Sequence, residues 1–270
     1  MRLITTRYAV CHTGLPEEFD GFRIAVLSDL HDSVYGKDNA HLYYLIKMAA
    51  PDAVMIAGDL VTARSDRNYA PAISLLEKLG AYRRVYYGLG NHEQKIYDSM
   101  YHGGLKETYY EAVRKIDGVS VLDNEAVICE RGGARLRIAG LTIDKRYYDK
   151  GVKRTMPEAY VAGRLGIKPE DFTILLAHNP VYFDAYADWG AELILSGHIH
   201  GGIVRLPYLG GLISPQLSLF PKYDRGLFTK GNSVMAVSAG LGLHTVPVRP
   251  WNPGELLIIE MLHSDSIGQH

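Results

Sequence analysis

Cysteine is nearly absent from this 270-residue chain, with Cys11 and Cys129 the only two. That excludes a disulfide framework and a thiolate metal site, so any metal must be held by histidine and carboxylate. Charge of one sign is lacking too. With 29 Lys and Arg against 30 Asp and Glu the formal charge is -1, which removes any global pull toward nucleic acid or an anionic membrane. No apolar run reaches the roughly 18 to 20 residues of a membrane span. The opening MRLITTRYAVCHTG has no long apolar stretch of the signal-peptide kind and alternates like a strand. A cytoplasmic location is the expectation. There is no repeat of solenoid period, no low-complexity tract and no Pro/Ser linker, so one domain over residues 1–270 is expected.

What is present is an ordinary globular composition, 47% hydrophobic and 22% charged, and one recurring pattern. A short run of Val, Ile and Leu ends abruptly in a polar cluster containing His, Asp or Asn. It occurs at FRIAVLSDLH (22–31), AVMIAGDL (53–60), VYYGLGNHE (85–93), FTILLAHNP (172–180) and ELILSGHIHGG (192–202). Continuous apolar runs of this length predict strands buried on both faces. Between them, residues 40–50, 69–82 and 107–117 carry apolar residues at helical spacing. Alternating strands and helices predict βαβ units and a largely parallel sheet. From Val119 the runs become short and turn-separated (VSVL, AVICE, RLRIAGL), and VMAVSAG and ELLIIEML follow later. The second half is therefore expected to supply a second, mixed or antiparallel sheet packed on the first. The fold class is α/β: a sandwich of two sheets with outer helices.

In open α/β sheets functional groups collect at the carboxyl ends of strands. All five polar clusters lie at such ends: Asp29-x-His31, Gly58-Asp59, Gly90-Asn91-His92-Glu93, His178 and Gly197-His198-x-His200. Two divalent cations a few ångströms apart need a bridging carboxylate, with imidazole and oxygen donors completing each coordination sphere. This set offers those donors. In an Asp-x-His or His-x-His at a strand end, the two flanking side chains face the same way.

The ordered set D-x-H, G-D, G-N-H-[DE], H, G-H-x-H resembles that of the calcineurin-like metallophosphoesterases, and it runs from Asp29 to His200. The resemblance implies a four-layer αββα sandwich of two mixed sheets. It assigns Asp29, His31 and His200 to one metal and Asn91, His178 and His198 to the other, with Asp59 bridging. It implies two divalent transition-metal ions (Mn, Fe or Zn) and hydrolysis of a phosphodiester, pyrophosphate or phosphomonoester by a metal-bridging hydroxide. His92 would protonate the leaving oxygen or stabilise transition-state charge; the plainer reading is a structural histidine beside Asn91. SDLH, VLDNEAV, LLAHNP, LSGHIHGG and the late GLGLHTVPVRPWNPGEL (240–256) are similar to one bacterial subgroup. That subgroup holds membrane-associated phosphodiesterases and UDP-diacylglucosamine pyrophosphohydrolases. The implied partner is a small phosphoester or a lipid headgroup, without nucleic acid, and peripheral membrane association follows from the same resemblance. Two departures stand out: many relatives carry an N-terminal anchor, and many have Gly-Gly-Gln where Gly201-Gly202-Ile203 stands.

Three further stretches admit two readings each. The basic segment 144–154 is a solvated face or a phosphate clamp. Residues 203–221 are a buried hairpin or a lid. His244 is a surface residue or lines the cleft. The rival functions are a noncatalytic scaffold on the same fold, a nucleotidase of the same superfamily, and an amidohydrolase, whose first strand would open with His-x-His instead of Asp-x-His.

Overall fold

The computed structural model describes residues 2–63, 68–97, 105–152, 154–202, 204–206, 210–213, 221–243 and 252–264. In chain order the first half contains β1 (Leu3–His12), β2 (Phe22–Leu27), α1 (Ala40–Ala49), β3 (Ala53–Ala57), α2 (Ala70–Tyr82), β4 (Arg84–Gly88), α3 (Asn91–Tyr97), α4 (Leu105–Arg114) and β5 (Val119–Leu122). The second half adds β6 (Glu125–Arg131), β7 (Ala134–Leu141), α5 (Glu158–Leu165), β8 (Thr173–Ala177), α6 (Phe183–Trp189) and β9 (Leu193–Ser196). It ends with β10 (Val204–Leu206), β11 (Gly210–Ile213), β12 (Gly226–Lys230), β13 (Ser233–Val237) and β14 (Gly254–His263).

Two six-stranded sheets form, ordered β1-β14-β2-β3-β4-β5 and β12-β13-β9-β8-β7-β6. Within the first, β2 to β5 run parallel while β14 is antiparallel to β2. In the second, β7, β8, β9 and β13 run parallel, and β6 and β12 pair antiparallel at the edges. Both sheets are mixed.

The layers follow from the burial pattern. β3 and β8 are buried at every position, as the unbroken apolar runs require of strands covered on both faces. Ile24, Val26 and Met55 of the first sheet meet Ile138, Ile174, Leu176 and Leu195 of the second in the central core. Leu42 and Ile46 of α1 with Leu75, Leu76 and Leu79 of α2 cover the outer face of the first sheet. Val161 of α5 with Phe183, Tyr186 and Trp189 of α6 cover that of the second. The result is the expected αββα sandwich.

Two strands depart from the expected division. Val119–Leu122 joins the first sheet, parallel to β4, and β14 returns to the first sheet between β1 and β2. The reason for β14 is its two apolar faces: Leu256 and Ile258 pack into the helical layer, Leu257 and Ile259 into the inter-sheet layer. Only an interior strand buries both. β1, whose burial alternates, takes the edge instead. β10 and β11 pair as a two-stranded antiparallel hairpin; the rest of 203–220, like His244, lies outside the described residues. Among the described residues no helix is long and apolar enough to cross a membrane.

Candidate metal centre

The parallel strands deliver their polar ends to one edge of the sandwich. Asp29 and His31 follow β2, Asp59 follows β3, and Asn91 and His92 open α3 directly after β4; His178 follows β8, and His198 and His200 follow β9. Both sheets therefore contribute. Asp29, His31, Asp59, Asn91, His178, His198 and His200 are all buried, and His92 is partly so. Five of these side chains ride on left-handed backbone: Asp29, His31, Asp59, His198 and His200 have φ between 47 and 66°. Such conformations cost non-glycine residues about 1–3 kcal/mol each and cluster at functional sites.

The ligand-type atoms converge. Asp29, His31 and His200 bring one donor atom each within 4.8 Å of one another, as do Asp59, His178 and His198, and as do His31, Asp59 and His92. Nε2 of His31 lies 3.0 Å from Nε2 of His200, and the two rings stack with centroids 5.0 Å apart. Asp29 Oδ1 is 3.2 Å from His200 Nε2, and Asp59 Oδ2 is 3.2 Å from His178 Nε2 and 4.0 Å from His31 Nε2. Asn91 Oδ1 and His198 Nε2 are buried without a hydrogen-bond partner among the described residues. Buried polar atoms are rarely left so, and oxygen and imidazole donors of this kind suit a divalent cation.

Electrostatics agree with that fit. Burial lowers His31 and His198 well below the ordinary imidazole range, outweighing the neighbouring carboxylates, so both are neutral, the form a metal takes. Burial would raise the Asp29 and Asp59 carboxyls, but His200 and His178 beside Asp29, and His178 and His92 beside Asp59, hold them below the usual carboxylate range. His178 goes the other way: burial lowers it, yet Asp59 and Asp29 push it up to about 10. Its Nδ1 donates to the Ala57 carbonyl at 2.6 Å, which aims Nε2 into the site. Fixing one ring nitrogen in this way orients the other toward a metal. His92 is fixed in the opposite sense, its Nδ1 accepting from the Ala63 N–H at 3.1 Å, so Nε2 carries the proton.

Two glycines make the crowding possible. A Cβ on Gly90 would stand 2.2 Å from Asp59 Oδ1, and one on Gly58 (φ 87°) 2.7 Å from His178 Nδ1.

The family model for calcineurin-like phosphoesterases matches residues 22–202, a span that holds every residue described above. The chain is a calcineurin-like phosphoesterase. A metallophosphoesterase of Bacillus subtilis, YkuE, is 29% identical over 249 residues, covering 91% of this chain and 80% of that protein. The Escherichia coli phosphodiesterase YaeI is 24% identical over 223 residues, 82% of this chain and 75% of its own. Among solved structures, a 5'-nucleotidase precursor of Thermus thermophilus superposes with a TM-score of 0.48 at 14% identity, covering 91% of this chain and 55% of that one.

Several residues that brace this cluster have no ligand role in the motif pattern. Glu93, fully buried, accepts backbone N–H groups from Asp59 (2.9 Å), Leu60 (2.8 Å) and Gly90 (2.9 Å) and the Tyr87 hydroxyl (2.7 Å). It thereby locks the loop carrying Asp59 to the one carrying Asn91. Burial and the Asp59 charge raise its carboxyl to about 7, against those hydrogen bonds. The last motif is a brace: Asn252 Nδ2 donates to the His200 carbonyl at 2.6 Å, and Glu255 accepts from the Ala239 N–H at 2.8 Å. The only advance signal for these three was their place inside GNHE and NPGE.

The basic segment resolves toward its plainer reading. Arg154 bonds Asp149 at 2.7 Å and Arg146 lies 3.5 Å from Asp144, which also holds Arg164. Adjacent tyrosines at 86–87, 109–110 and 147–148 also gather behind and beside these residues. Tyr87 and Tyr109 link hydroxyls at 3.0 Å behind Glu93, and Tyr148 stands edge-on to His198 with ring centroids 5.1 Å apart.

Proposed function

We propose that this phosphoesterase is a binuclear metal enzyme, with phosphodiesters ahead of pyrophosphates and monoesters as substrates. Asp29, His31 and His200 would hold one ion, Asn91, His178 and His198 the other, and Asp59 both. The observation that carries the reading is the position of Asp59, which shares donor distance with His31 on one side and with His178 and His198 on the other. The partnerless Asn91 Oδ1 and His198 Nε2 add support. The mixed imidazole, carboxylate and amide set suits Mn, Fe or Zn. When bound, such ions neutralise charge on phosphoryl oxygens and bring the pKa of water toward neutrality.

The protein's own contribution is placement. Glu93 and Asn252 fix the backbones of Asp59 and His200, so the acceptors are aligned before substrate arrives. His92, its Nδ1 engaged, presents Nε2–H at the same face as His31, where a hydrogen donated to an ester oxygen helps the leaving group depart. The phosphodiester preference rests on the name borne by YaeI; a lipid headgroup ester belongs to the same chemical class.

The test is hydrolysis of bis(p-nitrophenyl) phosphate by protein loaded with Mn²⁺, with metal content measured alongside. Two ions per chain are expected. Asp59→Asn and His198→Ala should abolish turnover while circular dichroism stays native. Retained activity in both variants refutes the two-metal reading.

A further inference from the structure

The turn at Lys145–Tyr148, just beyond the carboxyl end of β7, lies beside the ends of β8 and β9 that carry His178 and His198. Its last residue, Tyr148, sets its ring 5.1 Å from that of His198, at 69°, and 6.3 Å from that of His178. The side chain is half-buried, so one face touches the imidazoles and part of it meets solvent.

The turn is tied to the elements bearing the Asn91/His178/His198 half of the site. Asn179, the neighbour of His178, donates from Nδ2 to the Tyr147 carbonyl at 3.2 Å, and Tyr182 donates to the same oxygen at 2.8 Å. Gln94 of α3, which begins at Asn91, donates to the Ile143 carbonyl at 2.6 Å. Position is therefore imposed on Tyr148 from two sides.

Its hydroxyl is what distinguishes it. The surrounding phenols are spent on the backbone: Tyr160 accepts from the Asp144 N–H at 2.8 Å, Tyr182 donates to Tyr147, and Tyr186 donates to the Asn179 carbonyl at 2.9 Å. Among the described residues the Tyr148 hydroxyl has no such backbone partner. A phenol held by its ring beside ligand-type imidazoles, with its O–H uncommitted, is available to donate to a ligand bound beside them.

We propose that Tyr148 is a substrate-contacting residue of this enzyme, its phenol donating a hydrogen bond to a non-bridging oxygen of the phosphoryl group bound at the Asn91/His178/His198 side. The proposal rests on the binuclear phosphoesterase reading above. It makes Tyr148 the wall of the site that senses phosphoryl oxygens, while its ring edge steadies His198.

Tyr148→Phe keeps the ring and removes only the donor. In Mn²⁺-loaded protein it should retain wild-type metal content and melting temperature. It should lose about 10- to 100-fold in kcat/KM for bis(p-nitrophenyl) phosphate, the scale of one hydrogen bond to a charged acceptor. The inhibition constant of inorganic phosphate, which is bound but not turned over, should rise by a similar factor. Tyr148→Ala should show the same losses and weaken metal binding as well. If the wild type is active and Tyr148→Phe matches it in kcat/KM and phosphate inhibition, the role assigned to Tyr148 is overturned and the two-metal reading stands. Loss of metal from Tyr148→Phe overturns it equally, because the residue is then only a support. A wild type without metal-dependent hydrolysis overturns the function itself and this proposal with it.

Discussion

Asp59 is the side chain on which the site depends most, and it is held by what its neighbours lack as much as by what they offer. The His92 N–H donates to its Oδ1 at 2.8 Å, Glu93 accepts from its N–H, and Gly90 leaves the space its carboxylate fills. Gly90 needs no unusual backbone angle, since its φ is not among the positive ones; its requirement is close approach alone. A methyl group at 90 would fall 2.2 Å from Asp59 Oδ1 and 2.6 Å from Asp59 N, contacts no rotamer change can relieve. Gly90→Ala should therefore shift the carboxylate by a sizeable fraction of an ångström and cut kcat by about 100-fold, the scale for misplacing a catalytic group by 1 Å. Kinetics on the phosphodiester, with far-ultraviolet circular dichroism to show an intact fold, measures this. Activity within a factor of three of wild type would show that the Asp59 loop can yield without cost.

Among the elements, those that carry the ligand-type residues are distinct from those that hold them in place. The carboxyl ends of β2, β3, β4, β8 and β9 supply the side chains, whereas Gly242, beyond β13, and Asn252, just before β14, secure them. Gly242 N–H donates to the Asp29 carbonyl at 2.6 Å, and Asn252 reaches the carbonyl of His200. Removing Asn252 takes away a hydrogen bond to the His200 carbonyl, costing about 0.5–1.5 kcal/mol, and loosens the backbone of one candidate ligand. Asn252→Ala should weaken metal binding about 10- to 100-fold, as losses around a ligand shell commonly do, measured by titration against a competing chelator. The division explains what could be read in advance. Asp29, Asp59 and His198 were legible because chemistry restricts their type and a strand end restricts their spacing. Asn252 and Glu93 bond backbone groups, a task many polar residues perform, so nothing local marks them. The return of β14 was illegible for a related reason: its apolar run declares a strand buried on both faces but names no partner. α3, seven residues long, is too short to show a period, so the helix opening at Asn91 was not foreseen.

At the scale of the molecule, the two sheets share both a core and a site. Residues from both sheets fill the central layer, and residues from both surround Asp59. Burial of carboxylate and imidazole at that junction costs the metal-free protein desolvation: Asp29 and Asp59 are withdrawn from water, and His198 Nε2 has no hydrogen-bond partner among the described residues. Ions bound there would relieve these costs and link the sheets, so binding energy becomes folding energy. At about 100 times its dissociation constant each ion adds about 2.7 kcal/mol, and a chain of this size shifts its melting temperature by about 2–4 °C per kcal/mol. Stripping both ions with a chelator should accordingly lower the unfolding midpoint by roughly 10–20 °C, and adding Mn²⁺ should restore it. In His198→Ala the chelator effect should shrink by about half, because the Asp29, His31 and His200 group remains. Leu257→Ala, in the inter-sheet core, should instead lower the midpoint through the cavity it leaves, worth about 2–5 kcal/mol, while keeping the full chelator shift. Calorimetry on the three proteins, each with and without chelator, separates the two contributions; an unchanged midpoint on chelation of the wild type would mean that the sheets hold together without help from the site.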